Sequence, residues 1–418
     1  MSVNSWQTQL WMQIEIQYLV LIDNMFMRRE KVLVARDRHK EVDVAVTNTT
    51  LVNTLISLIL LMLIVNVVSA ASLPEDRADI QYHYYDGGGV EVDGPTVLVR
   101  KSFAQKFSVY GKYHQDSITG ASPDVLAGAS RYTEERDEYS IGGNYLHENT
   151  LMGLFYTYSD ENDYEANTTG FDISHDMFGD MTTIGLGFSY GWDTVKRVDA
   201  SAFEEDLERY QYRVAISQIL TKTIKASLSY QATIEDGYLN NPYRFVIIAN
   251  IPQGLGSEVY PGTRTGQATE LRVAKYWDFK GATSLGYRFF RDTWDIRAHT
   301  IDFTYSQYIG ERWLTDLYTR YYTQDAASFY SNNFSVPRNY MARDKELSTF
   351  DSYSIGAKVS YRLFEDYSSF NNGTLNLSAE YIDSQYDDYS GIESFSEVND
   401  GSYSFDAVAI QLYFSVRY

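Results

Sequence analysis

The chain of 418 residues contains no cysteine. That absence excludes a disulfide framework, a thiolate metal site and a cysteine nucleophile. Positive charge is also short: 35 Lys and Arg stand against 56 Asp and Glu, a net charge of -21. Nucleic-acid binding needs basic patches to neutralise phosphates, so no nucleic-acid partner is expected. Long apolar runs are nearly missing, since Leu51–Val68 is the single one. Disorder is not the explanation, because aromatic residues make up 15% and acidic disordered chains lack them. What remains unusual is a polar, acidic chain with 37 tyrosines. A soluble core would draw more on Leu and Ile.

Residues 1–46 differ in pattern from the rest of the chain. Arg28, Arg29, Lys31, Arg36, Arg38 and Lys40 precede the run Leu51–Val68, and Val68-Ser69-Ala70 closes it. A basic stretch, an apolar stretch and small residues at the cut predict a signal peptide over 47–70, cleaved after Ala70. The alternative is an uncleaved anchor, but the run is near the lower length limit for a span and holds Asn53, Thr54, Ser57 and Asn66. The stretch before it is long for a signal. Met25 and Met27 are candidate starts, which would leave 1–24 outside the natural protein, and N-terminal sequencing of the mature chain tests this. The leader's six basic and six acidic residues cancel, so the whole of -21 falls in 71–418.

From Arg77 onward the dominant period is two. Ile184, Leu186, Phe188, Tyr190 and Trp192 alternate with Gly185, Gly187, Ser189 and Gly191. Ile224, Ala226, Leu228 and Tyr230 alternate with Lys225, Ser227, Ser229 and Gln231. Such segments are long enough to cross a bilayer as tilted strands. Strands are predicted at 77–85, 95–103, 105–116, 137–147, 150–160, 163–175, 181–192, 207–219, 222–235, 267–277, 281–291, 294–307, 311–323, 350–363, 373–386 and 405–418. The first could instead be a lumen segment. The fold expectation is all-β: a transmembrane antiparallel up-and-down β-barrel of about 16 strands over 71–418, in a bacterial outer membrane.

Short connections alternate with long ones at 117–136, 193–206, 236–266, 324–349 and 387–404. Long extracellular loops and short periplasmic turns are the outer-membrane asymmetry. Trp192 and Trp294 fall at outer strand ends, Trp277 and Trp313 at inner ends, which suggests two aromatic girdles shared with tyrosine. In a barrel only alternate residues need be apolar, which explains the polar average. The soluble alternative, a large β-sandwich or β-helix, would show inward-facing Leu and Ile runs and stronger turn punctuation, and the sequence has neither. The last strand alternates Val408, Ile410, Leu412, Phe414, Val416 and Tyr418 with smaller or polar residues. This ending resembles the C-terminal signal read by the barrel-assembly machinery, with Tyr in place of the commoner Phe.

Four stretches carry a family likeness: LPEDRADIQYHYYDGGGVEVDGP (Leu73–Pro95), DSITGASPDV (Asp116–Val125), GYLNNPYRFV (Gly237–Val246) and YPGTRTGQA (Tyr260–Ala268). With them, most of 73–418 resembles a family of bacterial outer-membrane barrels catalogued as a domain of unknown function. The resemblance implies the fold and the location and assigns no activity. It also implies a genomic neighbourhood of extracytoplasmic redox and flavin-attachment genes.

Alternation points Lys112, Arg213, Lys225, Arg272, Arg288, Lys358 and Arg362 inward, with the acids Glu235, Glu270 and Glu380. Such charges either line a selective constriction, where basic rings favour anions, or pair and fill the lumen. Phe245, Val246, Ile247 and Ile248 form an apolar run inside the loop Asp236–Gly266. Water would not tolerate it fully exposed, so the loop is a candidate plug, a docking edge, or a hairpin standing above the membrane. Acidic loop clusters suit Ca²⁺ chemically: Asp160, Asp163 and Glu165; Glu204, Glu205 and Asp206; Asp383, Asp387 and Asp388; Asp86, Glu91 and Asp93. None has an EF-hand register, and no cofactor is expected. His114, inward near Asp116 and Ser117, could serve as a general base, but no hydrolase motif accompanies it, so no catalytic residue is assigned. The leading expectation is a porin-like channel for small solutes or ions. The alternatives are a non-conducting barrel scaffolding an extracytoplasmic redox or surface assembly, and an outer-rim hydrolase. Outer-membrane lipid, the barrel-assembly machinery, and a periplasmic or surface protein are the candidate partners.

Overall fold

The computed structural model describes residues 71–120, 132–249, 254–367, 369–390, 392–394, 397–398 and 402–418. The leader 1–46, the signal segment 47–70 with its cleavage site, and residues 121–131 of the connection 117–136 lie outside the described residues.

The strands, in chain order, are β1 (Arg77–Gly87), β2 (Val90–Phe103), β3 (Phe107–Gly120), β4 (Tyr132–His147), β5 (Thr150–Asp160), β6 (Tyr164–Met177), β7 (Thr182–Lys196), β8 (Glu204–Thr221), β9 (Ile224–Gly237), β10 (Phe245–Ile247), β11 (Leu255–Ser257), β12 (Thr263–Trp277), β13 (Gly281–Asp292), β14 (Arg297–Ile309), β15 (Trp313–Gln324), β16 (Phe350–Tyr367), β17 (Phe370–Tyr386), β18 (Ile392–Ser394), β19 (Glu397–Val398) and β20 (Ser404–Arg417). Sixteen of them close one antiparallel barrel, each paired with its sequence neighbour once the loop hairpins β10–β11 and β18–β19 are set aside. β1 is in the wall: it pairs with β2 on one side and with β20 on the other, which closes the ring. Closure leaves no strand edge unpaired, the condition for crossing lipid.

Every predicted strand is present, and several run further outward than predicted. β2 begins at Val90, β4 at Tyr132 and β8 at Glu204, and β7 continues to Lys196. Apolar alternation stops where the bilayer stops, but ladder hydrogen bonding continues above it through polar residues such as Glu134, Arg136 and Glu138. The β1–β2 turn is two glycines, Gly88 and Gly89, both at positive φ, the requirement of the tight hairpin turn that suits twisted strands.

One face of every wall strand is apolar and exposed. Ile80, Val99, Ile141, Leu154, Leu186, Leu271, Leu285, Ile301, Leu317, Ile355, Leu377 and Ile410 all lie on it. A band of bare aliphatic side chains around a closed barrel is the face that lipid covers. Trp192 and Trp313 are exposed on it. Trp294 is not. It lies before β14 and is buried against Tyr260 and Phe329, so it belongs to a loop core and not to the outer girdle. Nor are the tyrosines all on lipid-facing rows. Tyr110 and Tyr318 share register rows with Arg100 and Gly356 on the inner face, and their rings lie over Gly142 and Gly356.

Candidate functional site: the charged lumen and its outer cap

The ladder registers place all ten predicted charges on the inner face. Arg213 stands in row with Gln231, Lys225 with Ala274, Glu270 with Arg288, Arg272 with Ser227, Lys358 with Asp316, and Glu380 with Gly356. Their surroundings differ. Arg272 is held 2.6 Å from Asp302 and 2.7 Å from Glu270. Lys358 is buried 3.6 Å from Asp316. Lys112 reaches Glu138 at 2.6 Å, and Glu235 accepts Arg209 at 3.2 Å. Arg288 stacks 5.6 Å from the Phe290 ring centroid. Arg362 sits at the inner rim, beside a break in the β16–β17 register, and pairs with Glu365 at 2.9 Å. Arg213 is exposed although it points into the barrel.

The two arcs of the wall thus contrast. On β14–β17, inner residues such as Thr304, Ser306, Ser352, Ser354, Ser360 and Ser378 are buried, so this arc is packed. On β8 and β9 the inner residues from Arg213 to Glu235 are exposed or half-buried; on β12 Gly266 and Ala268 are buried, while Glu270, Arg272 and Ala274 are half-buried. A sixteen-stranded wall is wide enough to leave water beside such an arc.

The outer mouth carries a cap that the strand pattern did not reveal. The loop 238–262 folds back as the β10–β11 hairpin. Val246 and Ile248 are buried with Phe334 and Met341 of the loop 325–349. Ile248 bridges Phe334, and Val259 exchanges both backbone hydrogen bonds with Met341. Phe245 and Ile247 are half-buried on the other face of the hairpin. Val246 and Ile248 of the apolar run thus lie in the core of the cap, with Phe245 and Ile247 half-buried beside them.

Charged residues pin the cap. Arg343 is fully buried. Its backbone N–H donates to Glu258 Oε1 at 2.7 Å, and its guanidinium donates to the carbonyls of Asn332 and Ser390 while lying over the Tyr389 ring. Arg244 pairs with Asp344 at 3.1 Å, and the Tyr260 hydroxyl donates to Glu258 Oε2 at 2.6 Å. Burial pushes the Glu258 carboxyl up to about 7, Arg244 opposing and Asp344 reinforcing the shift. A one-turn 3-10 helix, Lys345–Leu347, rests on the inner wall: Gln324 Nε2 donates to the carbonyls of Glu346 and Ser348, and Lys345 lies over Tyr386 and Phe405. On the far side, the Tyr243 hydroxyl accepts the Val198 N–H at 2.9 Å. The cap is thus anchored from the β7–β8 loop round to β15, β17 and β20. A cleft of about 450 Å³ opens beside Trp294, Phe329 and Tyr340.

Sequence reasoning missed Arg343, Asp344, Lys345, Glu258 and Arg244. The stretch Met341–Leu347 reads as a solvated charge run, and only tertiary contact buries it. It also missed a second buried cluster on the opposite side of the mouth, where Arg136 pairs with Glu138 at 2.8 Å and Glu161 at 3.5 Å. His114 faces this cluster and is joined there by His83, whose place in the wall the sequence left open. Ser117 alternates to the opposite face of β3 from His114 and Asp116. Of the acidic loop clusters, Asp163 groups with Glu134 and Glu161 and not with Asp160 and Glu165.

A family model described as a protein of unknown function (DUF3570) matches residues 196–394. That range contains GYLNNPYRFV and YPGTRTGQA; the two earlier stretches lie outside it. No curated protein matches the chain in sequence. Among solved structures the chain is similar to a bacterial polysaccharide outer membrane secretin, at 8% identity and a TM-score of 0.47, covering 83% of this chain and 100% of that one. It is also similar to a Pseudomonas aeruginosa FadL homologue, at 7% identity and a TM-score of 0.39, covering 83% and 90%. An anion-selective porin from Comamonas acidovorans is similar at 9% identity and a TM-score of 0.34, covering 81% and 98%. With its closed wall, lipid-facing band and polar interior, the chain is an outer-membrane β-barrel.

Proposed function

We propose that this barrel is a porin-like passage for small solutes or ions, narrowed at its outer mouth by the cap and biased toward anions. One observation carries the reading: Arg213 is exposed to water while its register row points it into the lumen. A packed scaffold would bury or neutralise that side chain. On the inner face Arg100, Arg213, Arg272, Arg288 and Arg320 outnumber Asp172, Glu270, Asp302 and Glu380. Surplus fixed positive charge in a narrow polar channel favours anions. The -21 of the whole chain does not contradict this, because much of the acid sits in the outer connections.

Two further assignments belong to this reading. Residues 47–70 act as the export signal, and β20 presents the terminal alternation to the barrel-assembly machinery. The test is the reversal potential of purified protein in a planar bilayer across a KCl gradient. An anion-selective potential supports the passage. Absence of current at every voltage would move the protein to the scaffold reading, with a periplasmic or surface partner on its cap.

A further inference from the structure

Two histidines and an aspartate converge at the outer end of the lumen. His83 lies on β1, and His114 and Asp116 lie on β3. Strand β2 runs between them, and the residue in row with His83 is Gly94. With no side chain at that position, the His83 ring passes over β2 to meet Asp116. A Cβ at Gly94 would come 1.8 Å from the Gln115 carbonyl oxygen, so the approach requires glycine. His83 Nε2 stands 2.8 Å and His114 Nε2 3.0 Å from the same oxygen, Asp116 Oδ1. The two rings are stacked, with centroids 5.1 Å apart.

These are ion-pair contacts whose alignment falls short of hydrogen-bond geometry. Both nitrogens of His83 and Asp116 Oδ1 are buried with no hydrogen-bond partner. His83 is only 1% exposed. The nitrogens stand beside the carboxylate oxygen and do not aim an N–H at it. Leaving buried polar atoms unpaired costs about 1–3 kcal/mol each. Three donor atoms crowded together but misaligned with one another is the arrangement expected of ligands around a common ion. All three lie within 4.8 Å of one another. Further support comes from behind: His114 Nδ1 is 2.7 Å from Thr96 Oγ1, the outer-shell hydrogen bond that fixes a ligating imidazole. Acidic neighbours also surround it: Glu138, held by Lys112 and Arg136, and the group Glu134, Glu161 and Asp163.

We propose that His83, His114 and Asp116 bind one divalent transition-metal ion of the zinc class, with a fourth coordination position open to the lumen. Two imidazoles with one carboxylate select Zn²⁺, Cu²⁺, Ni²⁺ or Fe²⁺ over Ca²⁺ and Mg²⁺, which take oxygen ligands. Ligands about 2.0–2.1 Å from a tetrahedral ion sit about 3.3 Å apart, so binding spreads the present contacts by a few tenths of an ångström. Small side-chain rotations supply that. Asp116 keeps its second oxygen for Arg136, 3.4 Å away.

The test uses the folded full barrel without a histidine tag, stripped with chelator, then titrated with Zn²⁺ against a chromophoric chelator. Wild type is expected to take up one equivalent, and Co²⁺ is expected to give the visible bands of a tetrahedral site. The double variant His83→Gln, His114→Gln is expected to lose more than the ~10–100-fold that outer-shell changes cost. His147→Gln with His175→Gln is the control and should bind as wild type. The heat-induced gel shift of each variant reports that the barrel is folded. If the double variant does not fold, Thr96→Val replaces it, with an expected loss of about tenfold. No uptake by wild type, or undiminished affinity in the folded variants, overturns the proposal.

Discussion

Truncating Arg343 to alanine should open the cap and leave the barrel standing. The side chain is wholly buried and joins two loops, 325–349 and 387–404: its Nε donates to the Asn332 carbonyl at 3.0 Å, its Nη2 to the Ser390 carbonyl, and its guanidinium lies 5.1 Å from the Tyr389 centroid. Alanine leaves two buried carbonyls without these donors, about 1–3 kcal/mol each. The lost stacking adds about 0.5–2 kcal/mol. The cap is then weakened by about 2.5–8 kcal/mol. At about 1.4 kcal/mol per factor of ten, its open fraction rises by a factor of about 60 or more. None of this falls on the wall, whose sixteen strands are held by their own ladders. The assay is limited trypsinolysis at Lys345, which is buried in the closed cap. Cleavage tracks the open population when reclosing is faster than cutting. The rate should rise by the same factor while the heat-induced gel shift is unchanged. Cleavage at the wild-type rate would refute the reasoning, and so would collapse of the barrel together with the cap.

Three further outcomes are expected. Glu258 titrates at about 7 in the closed cap against about 4.3 for a free glutamate, so the closed form binds its proton more tightly. Cap stability is then greatest below about pH 4 and falls as pH rises through 7; trypsin sensitivity at Lys345 should climb between pH 5 and 8, and Glu258→Gln should flatten the profile. Leu271→Arg places a charge on the lipid face and should cost about 2–4 kcal/mol in refolding into bilayers, where a cost near zero would mean that the face is not in lipid. Arg213→Gln with Arg288→Gln should move the KCl reversal potential toward zero, and an unmoved potential would place selectivity elsewhere.

The wall was legible because lipid imposes period two on every strand, and each of the sixteen left that trace. Its outer ends were less so. β4 carries Glu134, Arg136 and Glu138 on its inner face, where no apolar alternation survives to mark a strand. The ten inward charges came from parity alone, and the register agrees. Parity could not tell that Arg272 is bound by Asp302 while Arg213 meets water. The loop 236–266 is legible as a candidate plug, but what pins it is not: Arg343 meets Glu258 across 85 residues of sequence, and no local pattern encodes that contact. The run Phe245–Ile248 did signal that something covers it. His83 escaped because its neighbour in the site is chosen by an absent side chain, at Gly94.

The proposed passage is a water-filled lumen narrowed from outside by the cap. Single-channel recording tests it most directly, comparing wild type with a variant in which 240–262 is replaced by a short Gly–Ser turn. The expected result is small or infrequent steps in wild type and a several-fold larger conductance in the variant. Equal conductance in the two, or no steps from either folded barrel, would contradict it.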